Sequence, residues 1–180
     1  EQGVENLFSF LRSQSVLLQA YAAEGLLSLS TNAENHEHIC KVPYIKELIS
    51  VLNTTNDKAI KQHVAAILTH VTTERTYHAV ILEADAINIL TSVLNTTDDR
   101  ATKQYVLAVL LNLAANSSTH AAIRILQDTK GLRLLLKDTS KNIQVDAEKL
   151  LAIIDKPVAP MSIAPNAATF SKNIGASKKI

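Results

Sequence analysis

The sequence predicts an all-α fold in which one helical unit is repeated along the chain. Three observations predict it: an internal repeat of 42 residues, apolar residues spaced as on one face of a helix, and a composition poor in turn-forming and aromatic residues. Of the 180 residues, only four are glycine and four are proline, and 4% are aromatic. A core of leucine, isoleucine, valine and alanine with few sharp turns is typical of packed helices.

The repeat is visible when the chain is compared with itself. The segment SVLNTTNDK at residues 50–58 recurs as SVLNTTDDR at residues 92–100. Four ladders of similar residues follow the same shift, so chance is a poor explanation. The ladders are Leu26, Leu68 and Leu110; Leu29, Val71 and Leu113; Ile39, Ile81 and Ile123; and His36, His78 and His120.

Each unit reads as three helices of unequal length. A short helix at about 76–83 and a longer one at 87–94 (45–52 in the preceding unit) come before a polar turn that offers N-cap side chains. A long third helix follows, because its apolar residues recur at i, i+3, i+4 and i+7 in one stripe. The stripe residues are Val64, Ile67, Leu68 and Val71, then Val106, Val109, Leu110 and Leu113.

The end of the long helix resembles a known family. The run Val109-Leu110-Leu111-Asn112-Leu113-Ala114 is similar to the Ala-Leu-x-Asn-Leu-Ala ending of the third helix in armadillo repeats. This resemblance implies a right-handed α-solenoid of about three and a half three-helix repeats. HEAT repeats, which have two helices per unit, are the second choice. The units are a degenerate one at 7–39, two good ones at 44–83 and 86–126, and a partial one at 132–154, shifted by one residue.

In the armadillo fold the third helices line a concave groove, so the resemblance implies protein binding there. Family members that read nuclear signals carry a ladder of Trp and, four residues later, Asn. Asn112 matches the Asn, but the Trp places hold Glu24, Ala66 and Ala108, which argues against nuclear-signal recognition. The predicted protein-binding face comprises Glu24, Ser28, Gln62, Ala66, His70, Gln104, Ala108 and Asn112.

The sequence divides into a solenoid at 1–155 and an extended basic tail at 156–180. Pro157, Pro160 and Pro165 exclude a helix in the tail. The tail carries four Lys and no acid, whereas the rest of the chain carries 14 basic and 17 acidic residues. Its spaced apolar residues predict contact with a protein surface; the alternative is a flexible linker. The predicted contact residues are Val158, Met161, Ile163 and Phe170.

No motif for catalysis, metal or cofactor binding emerges. His36 and His38 flank Glu37 beside Cys40, but residues i and i+2 on a helix point about 200° apart, and zinc takes three or four converging ligands. Glycine-rich phosphate loops and basic faces for nucleic acid are also missing from the sequence. The sequence therefore predicts no enzyme, no cofactor, no metal and no nucleic-acid partner.

Three Asn-x-Ser/Thr patterns begin at Asn53, Asn95 and Asn116. The first two fall at the same turn of successive units, where turn chemistry explains them, and we expect no sugar. Cys40 is the only cysteine, so we expect a reducing compartment: the cytoplasm, with the nucleus or cytoskeleton as alternatives. No apolar run approaches the roughly 18 residues of a membrane span.

We therefore expect a non-catalytic scaffold or adaptor that binds other proteins, as a subunit or fragment of a larger assembly. The alternative is a receptor that binds a peptide or cargo in the concave groove. Apolar clusters at both ends of the solenoid predict a partner or further chain at each end. The clusters are Leu7, Phe8, Phe10 and Leu11 at one end and Leu134, Leu135, Leu136, Leu151 and Ile154 at the other.

Overall fold

The computed structural model describes residues 2–116, 119, 122–123 and 129–155. These residues are helical apart from short turns, and no strand occurs among them. Tail residues Val158, Met161, Ile163 and Phe170 and the third ladder histidine, His120, lie outside the described residues. The helices are α1 (Gln2–Leu11), α2 (Val16–Ser30), α3 (His36–Ile39), α4 (Val42–Thr54), α5 (Lys58–Val71), α6 (His78–Glu83), α7 (Ala86–Thr96), α8 (Arg100–Ala114), α9 (Lys130–Leu135) and α10 (Lys141–Ile154).

The helices form two stacked layers. The long third helices pack in the order α2, α5, α8 and α10, and the second helices pack in the order α4, α7 and α9. The short helices α3 and α6 precede the second helices of their units, so two units show the three-helix pattern of the armadillo repeat. The predicted helices at 45–52 and 87–94 are confirmed, and each extends a little further at both ends.

Each third helix begins at the same short turn. Asp57 and Asp99 lie at the N-caps and accept hydrogen bonds from backbone N–H groups three residues later, at 3.0 and 2.8 Å. Thr55 and Thr97 accept the N–H of those caps, each at 3.2 Å. These bonds satisfy amides that a helix start leaves unpaired, which confirms the predicted caps. They also give the two threonines of the Asn-x-Thr patterns a structural role.

The turn also marks the one-residue shift of the last unit. Asp138 accepts the N–H of Ser140 at 2.8 Å, as Thr97 does for Asp99 in the unit before. The two turns are 41 residues apart rather than 42. Register is therefore kept by the turn rather than by a fixed chain length.

The core is continuous across the repeats because each unit buries its apolar side chains against the next. Leu68 and Leu110, at the centres of the two best-defined stripes, are fully buried, as the sequence predicts. At the start of the chain, the ring of Phe8 stacks on Tyr44, with ring centroids 4.1 Å apart. This contact ties α1 to the first residues of α4.

We expect Leu110→Ala to lower the free energy of unfolding by about 2–5 kcal/mol, because it leaves a cavity in a fully packed site. Leu134→Ala is the matched control: Leu134 is 71% exposed, so its truncation should stay within about 0.5 kcal/mol. Urea titrations of both variants provide the measurement. Equal losses would mean that the helix faces are misassigned.

Candidate functional site

The third helices present one stripe of residues outside the core, here called the third-helix face. In each helix the stripe follows i, i+3 and i+7, so equivalent residues lie one repeat apart. Of the predicted binding residues, Glu24 and Ser28 are exposed, Ala66 is buried, and the other five are half-buried. The third-helix face comprises Tyr21, Glu24 and Ser28 on α2, His63, Ala66 and His70 on α5, and Tyr105, Ala108 and Asn112 on α8.

His70 and Asn112 hold neighbouring repeats together. Nδ1 of His70 lies 2.8 Å from the hydroxyl of Ser30, and the Asn112 amide donates to the hydroxyl of Thr72 at 3.1 Å. The four residues are equivalent in pairs, 42 residues apart. Asn112, which matches the family's peptide clamp in sequence, therefore uses its amide N–H within the solenoid. Peptide binding at this face stays a prediction.

Ser30 and His70 invite comparison with a nucleophile and its base. Ser30 is fully buried, however, and its hydroxyl donates to the backbone carbonyl of Leu27 at 2.8 Å. His70 Nδ1 is then the donor to Ser30. Burial lowers the pKa of His70, and the neighbouring His36 lowers it further, so the neutral ring fits this role.

The histidine ladder found in the sequence is a second bridge between repeats. His36 and His78 are buried, and their Nε2 atoms bond the backbone carbonyls of residues six positions earlier, at 2.8 and 2.7 Å. Their Nδ1 atoms contact the following repeat, at Glu74 and Asn116 respectively. The Asn116 amide donates to Nδ1 of His78, whereas Nδ1 of His36 lies against the carboxylate of Glu74. The ladder is thus explained by packing rather than by a metal.

The other residues of the His36–Cys40 segment do not complete a metal site. His38 lies 3.4 Å from the Glu37 carboxylate, on the exposed side of α3. Cys40 is buried; burial, and then the charge of Glu74, raises the pKa of its thiol to about 12. The thiol is therefore protonated at neutral pH and a poor ligand. Within the described ranges, no three His, Cys, Asp or Glu side chains are grouped to hold a metal ion.

Gln62, one of the predicted binding residues, makes a bond within the solenoid that the sequence does not predict. Its amide donates to both carboxylate oxygens of Asp99, at 3.1 and 3.0 Å, and so joins α5 to the N-cap of α8. Burial would raise the pKa of Asp99, but hydrogen bonds from Thr102 and Gln62 outweigh it and lower the pKa. The equivalent of Asp99 in the last unit is Ser140, so Gln104 has no carboxylate at the matching place.

Three residues of the third-helix face, Tyr21, His63 and Tyr105, were not predicted from the sequence. Tyr21 and Tyr105 are 62% and 37% exposed, and His63 lies at the same position between them. The Nδ1 atom of His63 is buried with no hydrogen-bond partner in the part of the chain that the structure describes. The 42-residue shift relates all three, so the ladder that revealed the repeat could also have revealed this row.

Apolar side chains are exposed at the start of α2, the first of the stacked third helices. Leu18 is 43% exposed, although its equivalents Ile60 and Thr102 are fully buried. Helix α1 packs against the C-terminal half of α2. Gly25 lies so close to Leu7 there that an added Cβ would be 3.0 Å from the Leu7 side chain. The exposed residues, here called the α2 patch, are Val16, Leu17, Leu18 and Tyr21.

Comparison with known families fits this geometry. A family model described as "Armadillo-like" matches residues 4–175. The chain belongs to the armadillo-like family. The match extends beyond residue 155 into the predicted tail. No curated protein matches the sequence.

Solved armadillo structures are similar to this solenoid in fold. An engineered protein from the Northeast Structural Genomics Consortium has a TM-score of 0.74 at 23% identity, covering 86% of this chain and 64% of its own. A designed armadillo repeat protein has a TM-score of 0.74 at 15% identity, covering 84% and 64%. Another, in complex with the peptide (KR)4, has a TM-score of 0.74 at 14% identity, with the same coverage. The chain spans less than two thirds of their length.

Among the residues with described structure, no single helix is long and apolar enough to cross a membrane. One bent pair, Arg75–Glu83 with Ala86–Thr96, meets the length and composition together, with an angle of 81° between its halves.

Gln62→Ala should lower the free energy of unfolding by about 1 kcal/mol, because it removes a donor from a charged helix cap. Gln104→Ala should stay within about 0.5 kcal/mol, because no carboxylate lies at its matching place. Urea denaturation of the two single variants is the measurement. Equal effects would contradict a specific role for the bond between Gln62 and Asp99.

Asp99 should make the free energy of unfolding depend on pH in the acidic range. Its folded pKa lies below the ordinary 3.8, so its contribution is present above pH 3.8 and is lost as the pH falls through the lowered value. The stability difference between wild type and Asp99→Asn should therefore shrink below pH 3.8. Asp98→Asn, at a neighbouring side chain that is 89% exposed, is the control. A difference that stays constant down to about pH 2.5 would refute the assignment.

Proposed function

We propose that this armadillo solenoid is a non-catalytic scaffold or adaptor that binds other proteins. The α2 patch is the observation that carries the proposal. The equivalent positions of the later third helices, Ile60 and Thr102, are fully buried, whereas Leu18 is 43% exposed. Clustered exposed apolar side chains mark interaction sites, because their burial by a partner is favourable. The family's fold typically serves as a protein-binding scaffold.

The chemistry of the exposed residues favours a protein partner. The α2 patch is apolar and aromatic, as the centres of protein interfaces are. Glu24 is the single charged residue that the third-helix face contains.

We place the protein in the cytoplasm as part of the same proposal, because its single cysteine is a buried thiol, as is usual in reducing compartments. A partner at the α9–α10 end belongs to the proposal too, since Leu134 is exposed there.

A second candidate function is peptide or cargo reception by the third-helix face. The solved relative with a (KR)4 peptide supports it by family likeness. The half-exposed Tyr105 and Asn112 of this chain supply a surface for such a peptide. The scaffold remains the first candidate because His70 and Asn112 of this face already bond within the solenoid.

Affinity purification from the native source with mass spectrometry would identify partners, and variants of two surfaces would separate the candidates. Leu17→Ala combined with Leu18→Ala alters the α2 patch, and Tyr105→Ala alters the third-helix face. We expect the patch variant to lose about tenfold in partner affinity with an unchanged melting temperature, because large apolar contacts dominate interfaces. Leu134→Ala tests the α9–α10 end, and Val42→Ala, at a residue that is 37% exposed on α4, controls for the loss of an exposed apolar residue elsewhere.

The outcomes are distinct. Loss of binding only in Tyr105→Ala would favour the receptor over the scaffold. Binding that withstands both sets of changes would overturn the assignment of these surfaces. A partner bound only through Leu134 would move the interface to the opposite end of the solenoid.

A further inference from the structure

The first turn of α2 departs from the repeat. Val16 and Leu17 occupy the places that Lys58 and Ala59 occupy on α5. Lys58 and Ala59 are exposed, although α2, the preceding third helix, packs against α5. Packing between consecutive repeats therefore buries the next position, that of Leu18, but leaves these two positions in water. The apolar character of the two residues on α2 needs another explanation.

The basic residue that α2 lacks has a role in the later units. Lys58 forms an ion pair with Asp98 of the next unit at 3.6 Å, and Arg100 donates to the hydroxyl of Thr139 at 2.7 Å. Val16 stands at the equivalent position of the first unit, and a valine side chain can form neither bond. The first unit therefore gives up a polar contact between repeats and exposes an apolar side chain in its place.

Exposed apolar side chains are concentrated around this turn. Nine large apolar side chains are exposed among the described residues, and five of them fall between residues 10 and 21. They are Phe10, in the last turn of α1, and the four residues of the α2 patch. Residues 13–23 carry no charged side chain, and Glu24 is the only charged residue of α2. An uncharged apolar surface of this kind is typical of the centre of a protein interface.

The surface is suited to a second copy of the chain. In a contact with two-fold symmetry the same patch lies on both partners, so the patch has to be complementary to itself. An uncharged apolar patch meets this requirement, because two such patches do not repel each other. A head-to-tail contact with the other end of the solenoid is a poorer match, since the exposed positions of α10 include Lys141, Glu148 and Lys149.

We propose that two copies of the chain associate through their α2 patches, with the two α2 helices antiparallel. The inference rests on the proposed function and deepens it, since it names the protein that binds at the α2 patch.

Glu24 favours the antiparallel direction. It lies eight residues after Val16, about 12 Å along the helix. A two-fold axis near Ala20, midway between them, places each Glu24 beside the first turn of the other α2. The N-terminal end of a helix carries partial positive charge, so a carboxylate there is stabilising. The single charge of α2 thus meets an opposite partial charge in this arrangement.

The oligomeric state of the full chain tests the proposal. Sedimentation velocity over a range of concentrations should show an equilibrium between monomer and dimer. Val16→Lys combined with Leu17→Ala installs the pair that Lys58 and Ala59 form at the start of α5. We expect this variant to raise the dissociation constant of the dimer at least about tenfold and to leave the melting temperature of the monomer unchanged, because large apolar contacts dominate interfaces. Leu134→Ala, at an exposed residue of α9, should leave the constant unchanged.

Disulfide formation tests the antiparallel arrangement. Cys40 is the only cysteine and is buried, so it contributes little background. Ala20→Cys lies near the proposed axis, and a disulfide requires Cα atoms about 4–7 Å apart, so we expect mild oxidation to link two copies. Ala20 is equivalent to Gln62, so the position accepts a larger side chain. Leu134→Cys is the matched control and should stay unlinked.

Three kinds of result would overturn the inference. A chain that stays monomeric at every concentration would show that the α2 patch binds no second copy. A dimer that withstands Val16→Lys with Leu17→Ala, or that is lost in Leu134→Ala, would place the contact on another surface. A dimer that Ala20→Cys does not link would exclude the antiparallel arrangement. Each of these results leaves the binding of a different protein at the α2 patch to be measured separately, so the proposed function can survive the failure of this inference.

Discussion

The contact of each third helix with the next is the interaction on which the structure depends. No repeat can bury its own apolar stripe, so Leu68 and Leu110 leave water only because neighbouring units cover them. The N-cap turns fix where each long helix starts, and so align the stripes. The same dependence explains the first repeat. Leu18 is equivalent to core residues of the later units, but it is exposed. Helix α1 covers only part of the surface that the preceding repeat covers in those units.

Polar side chains supply the alignment that apolar packing lacks. Apolar contacts tolerate sliding, whereas the hydrogen bonds of His70, Asn112 and Gln62 each require one partner on one neighbouring unit. Asn112 matches the family's peptide-binding Asn in sequence, and His70 is its equivalent one repeat earlier. In this chain both side chains form hydrogen bonds with the neighbouring repeat. These bonds fix the alignment of the repeats and leave fewer polar groups free on the third-helix face.

The sequence predicted the parts of the structure that depend on local pattern. The caps at Asp57 and Asp99, the three-helix unit and the burial of the leucine stripes all follow from spacing within a single repeat. The bond of Gln62 was not predicted because its partner, Asp99, lies 37 residues away, beyond the reach of any local pattern. The exposure of Leu18 was missed for a related reason: its spacing is that of a buried stripe, and only the lack of a covering helix among the described residues changes its environment. Which face binds a partner depends on that partner's surface, which this sequence does not encode.

The two histidine bridges between repeats have different chemical partners. The first contact, between the first and second units, joins the imidazole of His36 to a carboxylic acid side chain, while the second, between the second and third units, joins the imidazole of His78 to an amide. Neighbouring contacts of one solenoid can therefore be weakened separately, because a change at Glu74 alters the first and leaves the second intact.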